Sequence, residues 1–575
     1  MRSLFIYFIL SIWLYALPQV INEKIRKSGI AKKDISIYIK EAGKGGKVVA
    51  SLNAHKTRTP ASVIKVLTTY AAVLKLGFDY RWSTKFYTTG TLQNGILKGD
   101  LLIKGFGDPS LSDEELEKIV SNIRAEGIRQ IRGDIVIDRS YFKVGNKDSS
   151  GFDEHPYSAY NAMPDAMMFN ERLVTVSVIP KENKVHKKNV DESYKVVNQL
   201  ELVNKSCKGK YSWPGVTIDK SEVIPTVLLK GKISKRCGKR NICKVVTKPY
   251  KSFYYALKDG LRKEGIPVRG GLKLHKIPKE ARGLFTHYSD SLEEIISETA
   301  KESNNLYARH LLLLLGAKLY GAPATMKKGR DAIRYILDSR GALGEGTLRI
   351  DNGSGLSRTS KMNAKLLAEM YDDAYDRYGS RWMETLSIAG VDGTIKRRFR
   401  NTVVKKRAWM KTGTLRRVKN IGGYVKNRAG KFYTVVIIIN STKAKYRGAK
   451  LQDEIMKWLA KSTAKPTVKS SSKIVQKKKS KSQKLFADVK TGIPLKTNHA
   501  IKNLTQKYYV QAGSFSSMPN KAYLLKIEAL GLRYRVRNID NYKVLIGAYK
   551  DEKTARDALL KVRKHINDGA FIVKL

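Results

Sequence analysis

The sequence predicts an α+β protein of several domains, closed by a small unit with the order βαββαβ. Three observations predict it. The chain has 575 residues, 42% of them apolar, enough to build cores, and at about 100–200 residues per domain it divides into three or four. Residues 461–502 then break the pattern, with 12 Lys against the single acid Asp488. So little apolar surface cannot offset the entropy of ordering, and the like charges extend that segment into a linker. Beyond it, strand and helix periods alternate in a split-βαβ order.

Taken in order, the chain opens with Met1-Arg2 and an apolar run from Leu4 to Ala16. A positive start, a short apolar stretch and a small residue read as a secretory signal over residues 1–20. Left uncut, the same run is marginally long enough to anchor the chain in a membrane. Residues 22–80 begin with strand alternation at 35–39 and end in a helix from 62 to about 76. Residues 81–285 form a long intervening region with strand-like runs at 101–103 and 133–138. Within it, Ser112 with Glu115 predicts a capping box before a helix whose Leu116, Ile119, Val120 and Ile123 share one face. Residues 290–320 read as helical, with Leu311 to Leu315 as one buried helix face, and 408–440 as strand-rich. In the closing unit, strands at 508–514, 534–536, 542–546 and 571–573 accompany helices at 521–530 and 552–564. The second helix has Ala555, Ala558, Leu559 and Val562 at helical spacing.

Charge narrows the function. There are 110 Lys and Arg against 51 Asp and Glu, a formal charge of +59. That demands an anionic partner but does not choose between nucleic acid, anionic lipid and cell-wall polymer. Export argues against nucleic acid, and leaves the membrane a role only through an uncut signal. The 3 Cys exclude a disulfide-dense scaffold, and 8 scattered His with no H-E-x-x-H support no metallohydrolase. No metal or cofactor is expected. An exported chain can carry one disulfide, most simply Cys237 with Cys243, which leaves one Cys over.

Three short elements carry chemistry. Ser62-Val63-Ile64-Lys65 follows Thr59-Pro60, so Ser62 falls at a helix start, where backbone N–H groups favour developing negative charge. Lys65, three residues on, shares its helix face and can reach the Ser62 oxygen. Ser303-Asn304-Asn305 follows at a helix junction, and Lys411-Thr412-Gly413-Thr414 enters apolar strand material. Ser462/Lys465, Ser470/Lys473 and Lys490-Thr491-Gly492 have the same spacings but fall in the linker, and read as chance. Alone, Ser303 would read as a cap, Asn305 as a turn residue and Lys411 as a solvated lysine; the order of the set favours a site. His310 reads as a packed or surface helix residue, and Asp351 and Arg358 as structural.

Ser-x-x-Lys, Ser-x-Asn and Lys-Thr-Gly in this order are the signature of the serine penicillin-recognising enzymes. The long gap from Ser62 to Ser303 resembles the class C low-molecular-mass penicillin-binding proteins, which are D-alanyl-D-alanine carboxypeptidases and endopeptidases. Further matches are Gly107 to Ser112, Gly133 to Asp138, Asp351 to Arg358 and Ala389 to Thr394. Asn304 stands where the family often has Asp, and Arg309 where an acid is common. The resemblance implies a penicillin-binding-protein/β-lactamase-like transpeptidase fold with large inserted domains. It also implies Ser62 as nucleophile, Lys65 as its base, Ser303 and Lys411 as proton carriers, and Asn305 as the group orienting Lys65. Thr412, Gly413 and Thr414 would bind the substrate, with the Ser62 and Thr414 N–H groups as oxyanion hole.

Tyr509 to Phe515 with Val544 to Tyr549 resembles a SPOR domain, a ferredoxin-like module that binds glycan strands of peptidoglycan. Phe515 and Tyr549 read there as core, and Gln511 and Ser514 as candidates for glycan contact. The resulting division is signal 1–20, peptidase 21–80 and 286–460, inserted domains 81–285, linker 461–506 and SPOR 507–575. The expected function is a periplasmic serine DD-peptidase acting on D-Ala-D-Ala termini, on D-Ala cross-links, or on both. Its expected partners are stem peptides and glycan strands, with β-lactams as covalent inhibitors. The alternatives are a β-lactamase or esterase of the same superfamily, or a non-catalytic wall-binding scaffold.

Overall fold

A computed structural model describes residues 17–463 except 345, and 508–574 except 516–518, 520, 533, 539–541 and 550. The apolar start up to Ala16 and most of the Lys-rich stretch lie outside the described residues. Contacts divide the chain into two compact units, parted near residue 469.

The first unit is built on a six-stranded antiparallel sheet in the order Ser387–Ile388, Ala408–Leu415, Val418–Lys426, Phe432–Asn440, Ile35–Glu41, Val48–Leu52. The unbroken apolar run at 435–439 reflects burial on both faces. Val435, Ile437 and Ile439 meet one core with Ile21 and Ile25 of helix Gln19–Ser28 and Ile455 and Leu459 of helix Ala449–Lys461. Val436 and Ile438 meet the other, built from helices Lys65–Leu76, Asn305–Tyr320, Met326–Ser339 and Ala364–Met383. Leu311 to Leu315 are all fully buried. They are therefore not one helix face: five consecutive residues sweep more than a full turn, and this helix is buried all round.

Between Arg81 and Ser291 the chain makes an excursion with its own cores. Its first and last strands, Arg81–Thr88 and Arg282–Ser291, pair antiparallel with Arg282 opposite Thr88 and Ser291 opposite Arg81. They belong to a five-stranded sheet that also holds Leu101–Gly105, Ile135–Asp138 and Leu272–Leu274. Farther out, two three-stranded sheets (Val174–Ile179 with its neighbours, and Thr226–Ser234 with its neighbours) share a separate core around Val176, Val227 and Leu229.

Two sequence expectations fail here. Helix Asp113–Ala125 buries Leu116, Ile119, Val120 and Ile123, but Ser112 makes no capping hydrogen bond. Its hydroxyl donates to the Glu114 carboxylate at 2.6 Å, while Glu115 is drawn off by Lys118 and His287. A capping box forms instead at Ser291 and Glu294, opening helix Leu292–Lys301. The disulfide joins Cys207 to Cys237, and Cys243 is free and exposed. Cys243 lies on strand Arg240–Lys244, paired opposite Thr175, which carries it away from the turn holding Cys237.

The second unit is a four-stranded antiparallel sheet in the order Tyr534–Asn538, Tyr542–Tyr549, Tyr508–Phe515, Phe571–Lys574. Helices Lys521–Ala529 and Glu552–His565 accompany it, and Val510, Ala512, Val544 and Ile546 form its core with Leu524, Ile527, Ala558 and Val562. Phe515 and Tyr549 pack on that core, as their pattern predicts. Gln511 is half-buried opposite Leu545, and Ser514 is exposed.

The disulfide closes a loop with sequence separation 30, for which the chain-entropy account gives about 3–4 kcal/mol of stabilisation. Cys207→Ser is expected to lower the thermal midpoint and to leave two thiols reactive in unfolded protein, Cys237 and Cys243. Mass spectrometry after maleimide labelling of folded wild-type protein is expected to find Cys243 alone modified.

Candidate active site

Ser62 lies in the 3-10 turn Ala61–Ile64, which runs directly into helix Lys65–Leu76. The preceding Ala61 takes φ 48°, a left-handed value that a non-glycine residue holds only when its surroundings impose it. The sheet imposes it. Asn420 Nδ2 donates to the carbonyls of Thr59 and Pro60 at 3.0 and 2.8 Å, and the Thr59 N–H donates to Asn440 Oδ1 at 2.8 Å. Gly413 packs against the same turn. A Cβ there would stand 2.8 Å from the Pro60 oxygen and 3.1 Å from the Ser62 nitrogen, so only glycine lets the strand this close.

Lys65 is fully buried and makes three contacts through Nζ: Ser62 Oγ at 3.1 Å, Asn305 Oδ1 at 2.5 Å and the Ser354 carbonyl at 2.6 Å. Burial holds its pKa well below the usual lysine range, and the positive charges of Lys411 and Arg309 push it the same way. A neutral amine has two N–H groups and one lone pair. In that neutral form, with the N–H groups on Asn305 and Ser354, the lone pair would be left for the Ser62 hydroxyl.

Ser303 sits between helices Leu292–Lys301 and Asn305–Tyr320, at φ 60°. Asn304 caps the second helix, accepting from the Leu306 and Tyr307 N–H groups. Its amide also donates to the Glu171 carboxylate at 3.2 Å, a bond an aspartate in its place could not make when ionised. Behind it, burial and the facing Glu171 push the Glu298 carboxyl up to about 7. Asn305 is fixed from the other side, its Nδ2 donating to the Tyr160 carbonyl at 3.1 Å. Lys411, also fully buried, donates to Ser303 Oγ and the Thr412 carbonyl at 2.9 Å each, and burial lowers its pKa to about 7.

The structure thus joins Ser62, Lys65 and Asn305 in one hydrogen-bonded set and Ser303 with Lys411 in a second. The two are linked through the tripeptide Ser303-Asn304-Asn305. Thr412 Oγ1 lies 2.9 Å from Thr394 Oγ1, and Lys419 donates to Thr414 Oγ1 at 3.2 Å. Gln511 and Ser514 belong to the second unit. Sequence reasoning gave no role to Tyr160, Asn420 or Lys419. For Ser354 a signal existed in the segment Asp351 to Arg358: Gly355 stands at φ +77° with its Cβ position 2.0 Å from the Ala61 oxygen. Arg309 stands out in sequence as a departure from the family pattern. It is buried one turn after Asn305, donates to the Ala162 and Tyr160 carbonyls, and is pushed down to about 10 by burial. His310 is packed inside, its Nδ1 2.9 Å from the Gly107 oxygen.

Residues 17–462 match the family described as D-Ala-D-Ala carboxypeptidase 3 (S13). The chain belongs to that family. It is accordingly an enzyme of the serine-type D-alanyl-D-alanine carboxypeptidases, and residues 504–574 match the SPOR domain, a peptidoglycan-binding module. It is 26% identical over 400 residues to D-alanyl-D-alanine carboxypeptidase DacB of Haemophilus influenzae, covering 68% of this chain and 82% of that one. It is 27% identical over 405 residues to a D-alanyl-D-alanine carboxypeptidase of Actinomadura, covering 67% of this chain and 74% of that one. The crystal structure of penicillin binding protein 4 (dacB) from H. influenzae superposes with a TM-score of 0.65. It is 24% identical, and the match covers 77% of this chain and 99% of that chain. The same protein complexed with a novel β-lactam superposes with a TM-score of 0.62, at 24% identity and with the same coverage. A wall peptidase joined to a peptidoglycan-binding domain acts outside the cytoplasm. Among the described residues no helix is long and apolar enough to cross a membrane, and no cluster of three or more His, Cys, Asp or Glu is placed to hold a metal ion.

The Arg309 charge opposes protonation of Lys65, so its removal lets Lys65 keep a proton to higher pH. In Arg309→Met the rise of penicillin acylation rate with pH is expected to move to higher pH, with a lower rate at neutrality. Stopped-flow acylation across pH measures it, and a profile superposing on wild type would show that Arg309 exerts no such field.

Proposed function

We propose that this S13 peptidase is a periplasmic serine hydrolase that cleaves the peptide bond after D-alanine in peptidoglycan stem peptides through an acyl-enzyme on Ser62. The observation that carries the reading is the contact between the buried Lys65 amine and the Ser62 hydroxyl. A serine hydroxyl is a weak nucleophile at its ordinary acidity and needs a neutral base within hydrogen-bond reach. Burial and two neighbouring cations favour the neutral form of Lys65.

Ser62 Oγ attacks the carbonyl carbon of the penultimate D-alanine, and its proton passes to Lys65 Nζ. The N–H groups of Ser62 and Thr414 receive the oxyanion; loss of one such donor typically costs about 2.7–4 kcal/mol. The Ser303 hydroxyl, hydrogen-bonded to Lys411, delivers a proton to the leaving amine and is resupplied from the lysine pair. Water then attacks the ester, with Lys65 again taking the proton, and frees the shortened stem peptide. Thr412 and Thr414 hold the carboxylate of the leaving residue. The same steps serve a terminal D-alanine and a cross-link, which differ only in the group attached beyond the scissile amide. A β-lactam enters by the same attack and remains as the acyl group.

The SPOR domain and the Lys-rich stretch complete the reading. A module bound to glycan, joined by a self-repelling linker, confines the peptidase near stem peptides and raises its effective concentration there. Gln511 and Ser514 are the proposed glycan contacts on the strand Tyr508–Phe515. The apolar start at residues 1–20 directs export.

Ser62→Ala is expected to abolish covalent labelling by a fluorescent penicillin and hydrolysis of a D-Ala-D-Ala peptide while leaving the unfolding transition in place. Labelling that persists would place the nucleophile elsewhere. Deleting residues 507–575 is expected to leave hydrolysis of a small peptide unchanged while weakening sacculus binding in high salt. There the attraction of exposed lysines is screened to a few ångströms. Equal pull-down of both proteins in high salt would defeat the tether.

A further inference from the structure

Lys419 stands directly opposite Thr414 in the antiparallel pair formed by Ala408–Leu415 and Val418–Lys426, so both side chains project from the same face of the sheet. Its Nζ donates to Thr414 Oγ1 at 3.2 Å. The stem is built into place. A Cβ at Gly448 would stand 2.9 Å from the Lys419 Cβ and 3.2 Å from its Cγ, so the glycine leaves a slot for the lysine stem. Gln452, fully buried, donates from Nε2 to the Lys419 carbonyl at 2.9 Å and fixes the backbone from behind.

The charge at the end of this stem has no partner. Among the described residues Lys419 makes no ion pair, whereas Arg398, the cation whose field reaches it, binds Asp453. Asp453, the acid whose field reaches Lys419, is thus already engaged. Lys419 is half-buried, which costs solvation that no acid returns, and it is rigidly aimed at a threonine hydroxyl. A hydroxyl has one proton and two lone pairs. With Lys419 donating to one lone pair, the proton of Thr414 is free to point outward toward an acceptor. An ammonium and a hydroxyl proton side by side make a receptor for an anion.

We propose that Lys419 is a specificity-determining residue that reads the carboxylate on the amino acid leaving the scissile bond, acting with Thr414. This rests on the proposed peptidase reading and adds a residue to it. Lys419 takes no part in proton transfer to or from Ser62; it supplies the opposite charge to the substrate anion. The site selects a carboxylate at the carbon bearing the leaving amine, and disfavours the same peptide with that group amidated.

The test compares a diacyl-L-Lys-D-Ala-D-Ala peptide with its C-terminal carboxamide on full-length protein. Removing one charge-assisted contact is expected to lower kcat/KM for the free acid about ten- to hundredfold in Lys419→Met, with the carboxamide changed less than about threefold. Lys419→Arg, which keeps the charge, is expected to recover most of the loss, and thermal unfolding checks that both variants fold. Equal losses on both peptides, or no loss on the free acid, would overturn the assignment. Calorimetric binding of the two peptides to Ser62→Ala, with and without Lys419→Met, gives the same comparison without turnover. Should wild type hydrolyse neither peptide while the preference for the free acid still depends on Lys419, the peptidase reading fails and the carboxylate receptor stands.

Discussion

An amine kept from water is the constraint on which the proposed chemistry rests. Lys65 lies fully buried with Lys411 and Arg309, and among the described residues no carboxylate forms an ion pair with Lys65 or Lys411. Burying a charge there costs several kcal/mol of lost hydration, and neighbouring cations add to it. Both effects favour the neutral amine. The surrounding polar atoms fit that outcome, since Asn305 Oδ1 and the Ser354 carbonyl take two N–H groups and leave the lone pair toward Ser62.

Holding that arrangement needs three parts of the chain that have little to do with one another in sequence. The sheet clamps the serine turn through Asn420, Asn440 and the bare backbone at Gly413. The helix junction at Ser303 brings a second hydroxyl and an amide from the helical side. The excursion contributes the Tyr160 carbonyl, which braces Asn305, and with Ala162 it receives the guanidinium of Arg309. Two of these supports sit at left-handed non-glycine residues, Ala61 and Ser303, where the backbone is maintained by its neighbours rather than by its own preference.

Much of this was legible beforehand because it is written in short motifs with fixed spacing. Ser62 with Lys65 needed only helical periodicity to be brought together, and the closing βαββαβ unit needed only alternation. What was not legible depends on who sits opposite whom. The pairing of Cys207 with Cys237 comes from the direction in which strand Arg240–Lys244 leaves the turn. The Ser112 cap fails because Glu114, Lys118 and His287 compete for its would-be partners. Leu311 to Leu315 look like one side of a helix until the helix is placed between two layers. Lys419 reads as one more lysine among 110 basic residues until the register puts it across from Thr414. Helix Gln19–Ser28 follows directly on the apolar start, whose composition reads as an export signal.

The pairing of Arg81–Thr88 with Arg282–Ser291 has a further consequence. A detour that departs and returns along hydrogen-bonded neighbours leaves its root the same width whatever its length, and extending such a loop adds entropy only logarithmically. The material threaded between those two strands can therefore be enlarged, trimmed or exchanged as a cassette without dragging on the serine turn. The stretches that must keep their address are those around Tyr160 and Ala162, Glu171 and Gly107, which reach Asn305, Arg309, Asn304 and His310. That separates the tempo at which the outer surface can diversify from the tempo at which the reactive centre can.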